Sequence, residues 1–168
     1  MPDPNYLAFF ECYNAGRFFE AHEVLEELWL EERRRPDGNF YKALIQVAGC
    51  FVHLQHGRLG PAAALLRTAA AHLAPFPSPH RGLDTDALRQ QITAWRTAIE
   101  GETRNPLATG PAPRAPARGR LAGMRPARLG TATDRRRRRE EAKSHGRIRL
   151  LTSAPAASGC ETAGGGLR

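Results

Sequence analysis

Apolar residues recur at helical spacing through the first hundred residues of the chain, and no stretch alternates as a half-buried strand would. The pattern and its punctuation predict five helices. Pro4 opens the first, which runs to about Ala15 and is closed by Gly16. The second runs from Phe18 to about Arg35 and stops at the turn Pro36-Asp37-Gly38. Asn39 is placed to cap the third, FYKALIQVAGCFVHLQH, which Gly57 ends. Pro61 sits in the first turn of a fourth, AAALLRTAAAHL, closed by Pro75. After a proline-rich loop, Asp84 or Thr85 caps a fifth, ALRQQITAWRTAIE, ending at Gly101.

Gly16, Arg17, Ala21 and Leu25 recur as Gly57, Arg58, Ala62 and Leu66 at one constant offset, which predicts two helical hairpins side by side. The third helix is apolar around most of its circumference and is therefore expected at the centre. The fold class that follows is all-α: a bundle of about five helices, built from two hairpins plus a C-terminal helix, over residues 1–102.

Charge and aromatic content divide the chain at the same place. The formal charge is +8, yet residues 1–102 carry 10 Lys and Arg against 13 Asp and Glu, leaving 15 against 4 for residues 103–168. All twelve aromatic residues lie at or before Trp95. Residues 103–168, rich in Ala, Arg, Gly and Pro, thus lack core anchors and are expected to be a disordered tail. Its run Arg135 to Arg139 offers non-specific phosphate contact with nucleic acid, but no aromatic stands by to stack on bases. A functionless extension is the preferred account of the tail.

Three cysteines, Cys12, Cys50 and Cys160, form no CxxC pair and leave an odd count, so neither a disulfide framework nor a thiolate zinc site is expected. The N-terminal run has no basic leader and carries an acid, and ALIQVAGCFVHL is too short to cross a bilayer. These features predict a cytoplasmic protein with no membrane partner.

The candidate chemistry lies in FFEAHEVLEELW, residues 18–29, where one histidine and four acids stand on a core-forming helix. At about 100° per residue, Phe18, Ala21, Leu25, Leu28 and Trp29 form its apolar face. His22 lies at the edge of that face and Glu26 just outside it, while Glu23 and Glu27 point away. The third helix carries a single polar stripe, Lys42, Gln46, Gly49 and His53, and antiparallel packing would set the His22/Glu26 edge against it. Gly49 in mid-helix costs about 1 kcal/mol relative to alanine, and a common compensation is close approach of another backbone or a ligand.

Two readings of this seam compete. In one, His22, Glu26, Gln46 and His53 form a polar network that fixes helix packing or organises a groove for a ligand. In the other, His22, Glu26 and His53 hold a divalent metal, zinc, iron or manganese, although HEVLE does not match the HExxH pattern of zinc proteases. Trp29 is expected to belong to the core more than to a stacking platform. The four serines lie outside the helices that hold the histidines of the seam, Cys50 sits on an apolar face, and no glycine-rich phosphate loop occurs. His56, His72 and His80, at helix ends or in a loop, need no role beyond capping or exposure.

The H-E-x-x-E-x-x-W core with L-I-Q-x-A and H-x-x-x-G downstream resembles a family of small bacterial proteins described as domain of unknown function 309. The matching positions are His22, Glu23, Glu26, Trp29, Leu44, Ile45, Gln46, Ala48, His53 and Gly57. The resemblance covers about residues 6–100 and implies a helical fold and a bacterial cytoplasmic setting, with no assigned activity. The preferred function is a binding or interaction module for a protein or small-molecule partner, with His22, Glu23, Glu26, Trp29, Gln46 and His53 as the candidate ligand-binding residues. The alternative is a metal-dependent hydrolase with His22, Glu26 and His53 as ligands to the ion that activates water.

Overall fold

The computed structural model describes residues 2–117. Its helices are α1 (Pro4–Asn14), α2 (Phe18–Glu32), α3 (Gly38–Gln55), α4 (Leu59–Leu73), α5 (Thr85–Arg96) and the short α6 (Pro106–Thr109). A π-helical turn, Thr97–Gly101, continues α5. Among the described residues there is no β-strand, only isolated bridges that join His80 to Leu83 and Leu83 to Ala117.

The two glycine stops end α1 and α3 in the same way. Gly16 and Gly57 have φ of 74° and 68°, the left-handed region that costs glycine nothing. At the first, the Gly16 N–H donates to the Tyr13 carbonyl and the Arg17 N–H to that of Cys12, at 3.0 and 2.9 Å. At the second, Gly57 donates to Leu54 and Arg58 to His53, both at 3.0 Å. These paired bonds satisfy carbonyls that a helix end otherwise leaves open. The repeat is therefore physical: the same cap turns α1 into α2 and α3 into α4. Ala21, Leu25, Ala62 and Leu66 are all fully buried beyond their turns.

Helix α3 packs against both α2 and α4, and α1 packs against α2. Aromatic side chains converge on the core face of α3. Phe18 of α2 stacks on Phe51 at 4.9 Å between ring centroids, and Trp95 of α5 meets the same ring edge-on at 4.8 Å. From α1, Tyr13 meets Phe51, while Tyr6 approaches Phe40 and Tyr41. Each such pair contributes about 1 kcal/mol beyond area burial. Cys12 and Cys50 lie in this core, and burial pushes the Cys50 thiol up to about 12.

Two boundaries differ from the sequence expectation. Helix α2 ends at Glu32 and not near Arg35, consistent with the strain that Pro36 imposes on a helical residue before it. Helix α3 starts at Gly38, so Asn39 lies inside its first turn and Asp37 takes the cap position. The Asp37 carboxylate makes no capping bond. It accepts from Arg81 Nε at 2.6 Å and pairs with His80 Nε2 at 2.8 Å. Partial burial works to raise its pKa, but the hydrogen bonds and charges of Arg81 and His80 prevail and hold the carboxyl below its usual range. Asp37 thereby fastens the Phe76–Leu83 loop to the head of α3, with the His80 ring against Phe40 and Phe76.

Residues 103–117, assigned by composition to the tail, run along the helical domain. Asn105 donates to the Leu54 carbonyl at 2.8 Å, the Ala115 N–H donates to the Asn14 side chain at 2.9 Å, and the Asp84 N–H donates to the Pro116 carbonyl at 2.9 Å. Composition missed this segment because hydrogen bonds and two small contacts, Leu107 and Ala115 against the core, hold it, not aromatic anchors. The expected tail beyond it lies outside the described residues.

Neither capping glycine has a neighbour within 4 Å of an added Cβ. Gly16→Ala and Gly57→Ala should therefore each cost only the conformational term, about 1–2 kcal/mol, read as a lower urea midpoint at unchanged slope. A cost at one site but not the other would show that the two caps are not equivalent.

Candidate functional site

The polar stripe of α3 lies half-buried, with α2 along one side and α4 along the other. Two contacts to α2 fix the antiparallel register. A methyl group added at Gly49 would lie 3.7 Å from Cδ2 of His22, and Lys42 Nζ sits 5.7 Å from the centre of the Trp29 ring. His22 and Trp29 are seven residues apart on α2, as are Gly49 and Lys42 on α3 in the opposite sense. The His22 ring thus stands at ordinary contact distance from where a side chain at Gly49 would begin.

Helix α4 closes the other side. The same added methyl at Gly49 would lie 3.2 Å from Cδ1 of Leu65, and His72 Nδ1 lies 2.9 Å from Gln46 Oε1. The tautomer with its proton on Nδ1 donates to the amide oxygen. Burial, and then the nearby Lys42 ammonium, hold His72 below the ordinary imidazole range. His72 was read from sequence as a helix-end residue with no further role. The available signal was its place seven residues after Leu65, which puts both on one side of α4.

The remaining candidates have the following places. Glu23 and Glu26 are half-buried on α2, and each has an interaction within the chain. Trp29 packs against the core with one side partly open. His53 is half-buried one turn beyond Gly49, and its backbone carbonyl accepts the Arg58 N–H. Among the described residues no group of three or more His, Cys, Asp or Glu side chains could hold a metal ion. His22, Glu26 and His53 therefore do not come together as a ligand set. Arginines Arg135 to Arg139 lie outside the described residues. No helix of the described residues is long and apolar enough to cross a membrane.

The segment that builds this face can be compared with known proteins. Residues 6–65 match the family model described as Domain of unknown function (DUF309). The DUF309 match spans α1, α2, α3 and the first half of α4, and so contains His22, Glu23, Glu26, Trp29, Gln46 and His53. It stops short of His72 and α5, and is shorter than the resemblance over residues 6–100. An uncharacterized protein of Aquifex aeolicus (strain VF5) is 29% identical over 81 residues, which cover 48% of this chain and 24% of that protein. The chain spans about a quarter of that relative's length. No solved structure gives a significant match.

Two measurements check this geometry. In an NMR titration, His72 should gain its proton below the ordinary pKa of about 6.5, and Lys42→Gln should move that midpoint upward. Because the unfolded chain then binds more protons than the folded one, this group's contribution is present above the unfolded pKa and diminishes as pH falls below it. Gly49→Ala should be neutral to stabilising, within about 1 kcal/mol, because the Leu65 methyl is the movable end of a half-exposed side chain. Gly49→Val should push both His22 and Leu65 aside and cost about 1–3 kcal/mol, measured as the shift in thermal unfolding.

Proposed function

We propose that this helical domain is a binding or interaction module whose contact face is the seam between α2, α3 and α4. One observation carries the reading: the polar side chains on α3 are only half-buried and are ordered by cross-helix partners. Gln46 is held by His72, and Lys42 lies over Trp29. A network needed for packing alone is normally shut away from water, whereas a recognition face keeps its donors and acceptors ordered and within reach. Phe19 and Leu30, on the neighbouring surface of α2, are 60% and 48% exposed, and large apolar side chains beside ordered polar groups are the usual make-up of a contact face. The partner class is a protein segment or a small ligand with both polar and apolar groups.

The double substitution Gln46→Leu with His72→Leu tests this. Removing both members of a hydrogen-bonded pair leaves no orphan, so stability should stay within about 1 kcal/mol of the parent. A fragment screen followed by amide NMR shifts on the full chain should find ligands that perturb Lys42, Gln46, His53 and His72 in the parent and lose that effect in the variant. A loss of about 3 kcal/mol or more, with no fragment perturbing the seam of the parent, would make the network structural and overturn the proposal.

A further inference from the structure

The exposed apolar residues of α2 are not scattered. Phe19, Glu23, Glu26 and Leu30 follow one another at i, i+4, i+7 and i+11. At about 100° per residue they fall within a sector of about 60°, well away from the buried set Phe18, Ala21, Val24, Leu25 and Leu28. The result is an outward stripe about 16 Å long, with an exposed apolar side chain at each end and two carboxylates between them.

We propose that this stripe docks a basic amphipathic helix belonging to another protein. The inference rests on the binding-module reading and specifies its partner. Charge selects the occupant. Helix α2 carries six glutamates and no lysine or arginine. A second copy of the chain laid antiparallel on the stripe would match Phe19 to Leu30 at both ends, but would set Glu23 against Glu26 of the other copy twice, and such like-charge contacts oppose pairing. A partner helix with apolar residues at the ends and lysine or arginine in the middle meets both requirements. Glu23 and Glu26 each already have an interaction within the chain, so the partner's cations add to carboxylates already engaged. Exposed Arg33 and Arg34 follow just beyond Leu30, which disfavours positive charge past that end and confines it to the centre. The 4-3-4 spacing is the same from either direction, so parallel and antiparallel partners present the same order of groups.

The test uses the full chain and a fluorescent 18-residue helical peptide with Leu at i and i+11 and Lys at i+4 and i+7, compared with the same peptide carrying Glu in place of both lysines. Fluorescence anisotropy should show the lysine peptide binding at least about tenfold more tightly than the glutamate peptide, with the preference shrinking at high salt. Glu23→Lys with Glu26→Lys should invert the preference. Phe19→Ser with Leu30→Ser, both at exposed positions where folding is not at stake, should weaken binding of the lysine peptide about tenfold or more. Equal binding of the two peptides, binding of neither, or self-association of the chain that Phe19→Ser abolishes would each overturn the proposal. If neither peptide binds while fragments still perturb Gln46 and His72, the docking inference fails and the binding-module reading stands; if the seam is silent too, both fail.

Discussion

Helix α3 must be covered on nearly all sides, and most of the structure follows from that requirement. Its buried residues, from Phe40 and Tyr41 through Leu44, Val47, Ala48 and Phe51 to Leu54, wrap more of its circumference than one neighbouring helix can shield. Leaving them in water would forfeit about 1.5–3 kcal/mol for each large side chain. Helices α2 and α4 flank it, reached through the matched turns at Gly16 and Gly57 and the short Arg33–Asp37 link, while α1, α5 and the Phe76–Leu83 loop supply aromatic rings to its core face. The stripe Lys42, Gln46, Gly49 and His53 is what this coverage leaves half-open. The position of the candidate face is thus a by-product of how the core is closed.

Much of this was legible because it depends on local rules. Glycine stops, proline starts and 3.6-residue periodicity act within a turn or two of the chain, so the helix order and the central place of α3 could be read directly. The antiparallel meeting of His22 with the Gly49 stripe was legible for a similar reason, since a short link between two helices leaves few alternatives. What escaped depends on contacts distant in sequence. His72 joins Gln46 across 26 positions and His80 joins Asp37 across 43; periodicity can place His72 on a side of α4, but it does not name the partner. The strap of residues 103–117 was hidden for a different reason, because backbone hydrogen bonds leave no trace in composition. The internal repeat misleads if pressed too far: Ala21 and Ala62 have the same fate, yet half-buried His22 corresponds to fully buried Ala63. What is repeated is the turn and the start of the following helix, not the face the helix presents.

The seam also explains why a metal-like inventory of residues need not make a metal centre. Two imidazoles and a carboxylate on adjacent helices satisfy a list, but a ligand set has to converge. Here His22 lies near Gly49 of α3, and among the described residues no group of three or more such ligands forms. His72, on the opposite wall, has a hydrogen-bond partner, and that partner is an amide. Half-buried polar groups between α2 and α4, beside an acidic outer helix, are the features on which the proposed recognition by shape and charge rests.

The two described cysteines set a further limit on the chemistry of this domain. The thiolate is the form that peroxide oxidises and that soft metals bind, and Cys50, raised to about 12 by burial, stays protonated across the whole physiological range. Cys12 is equally enclosed. The helical domain is therefore poorly suited to redox sensing: changes in cellular oxidant level should pass it by without altering its fold or its outer surface.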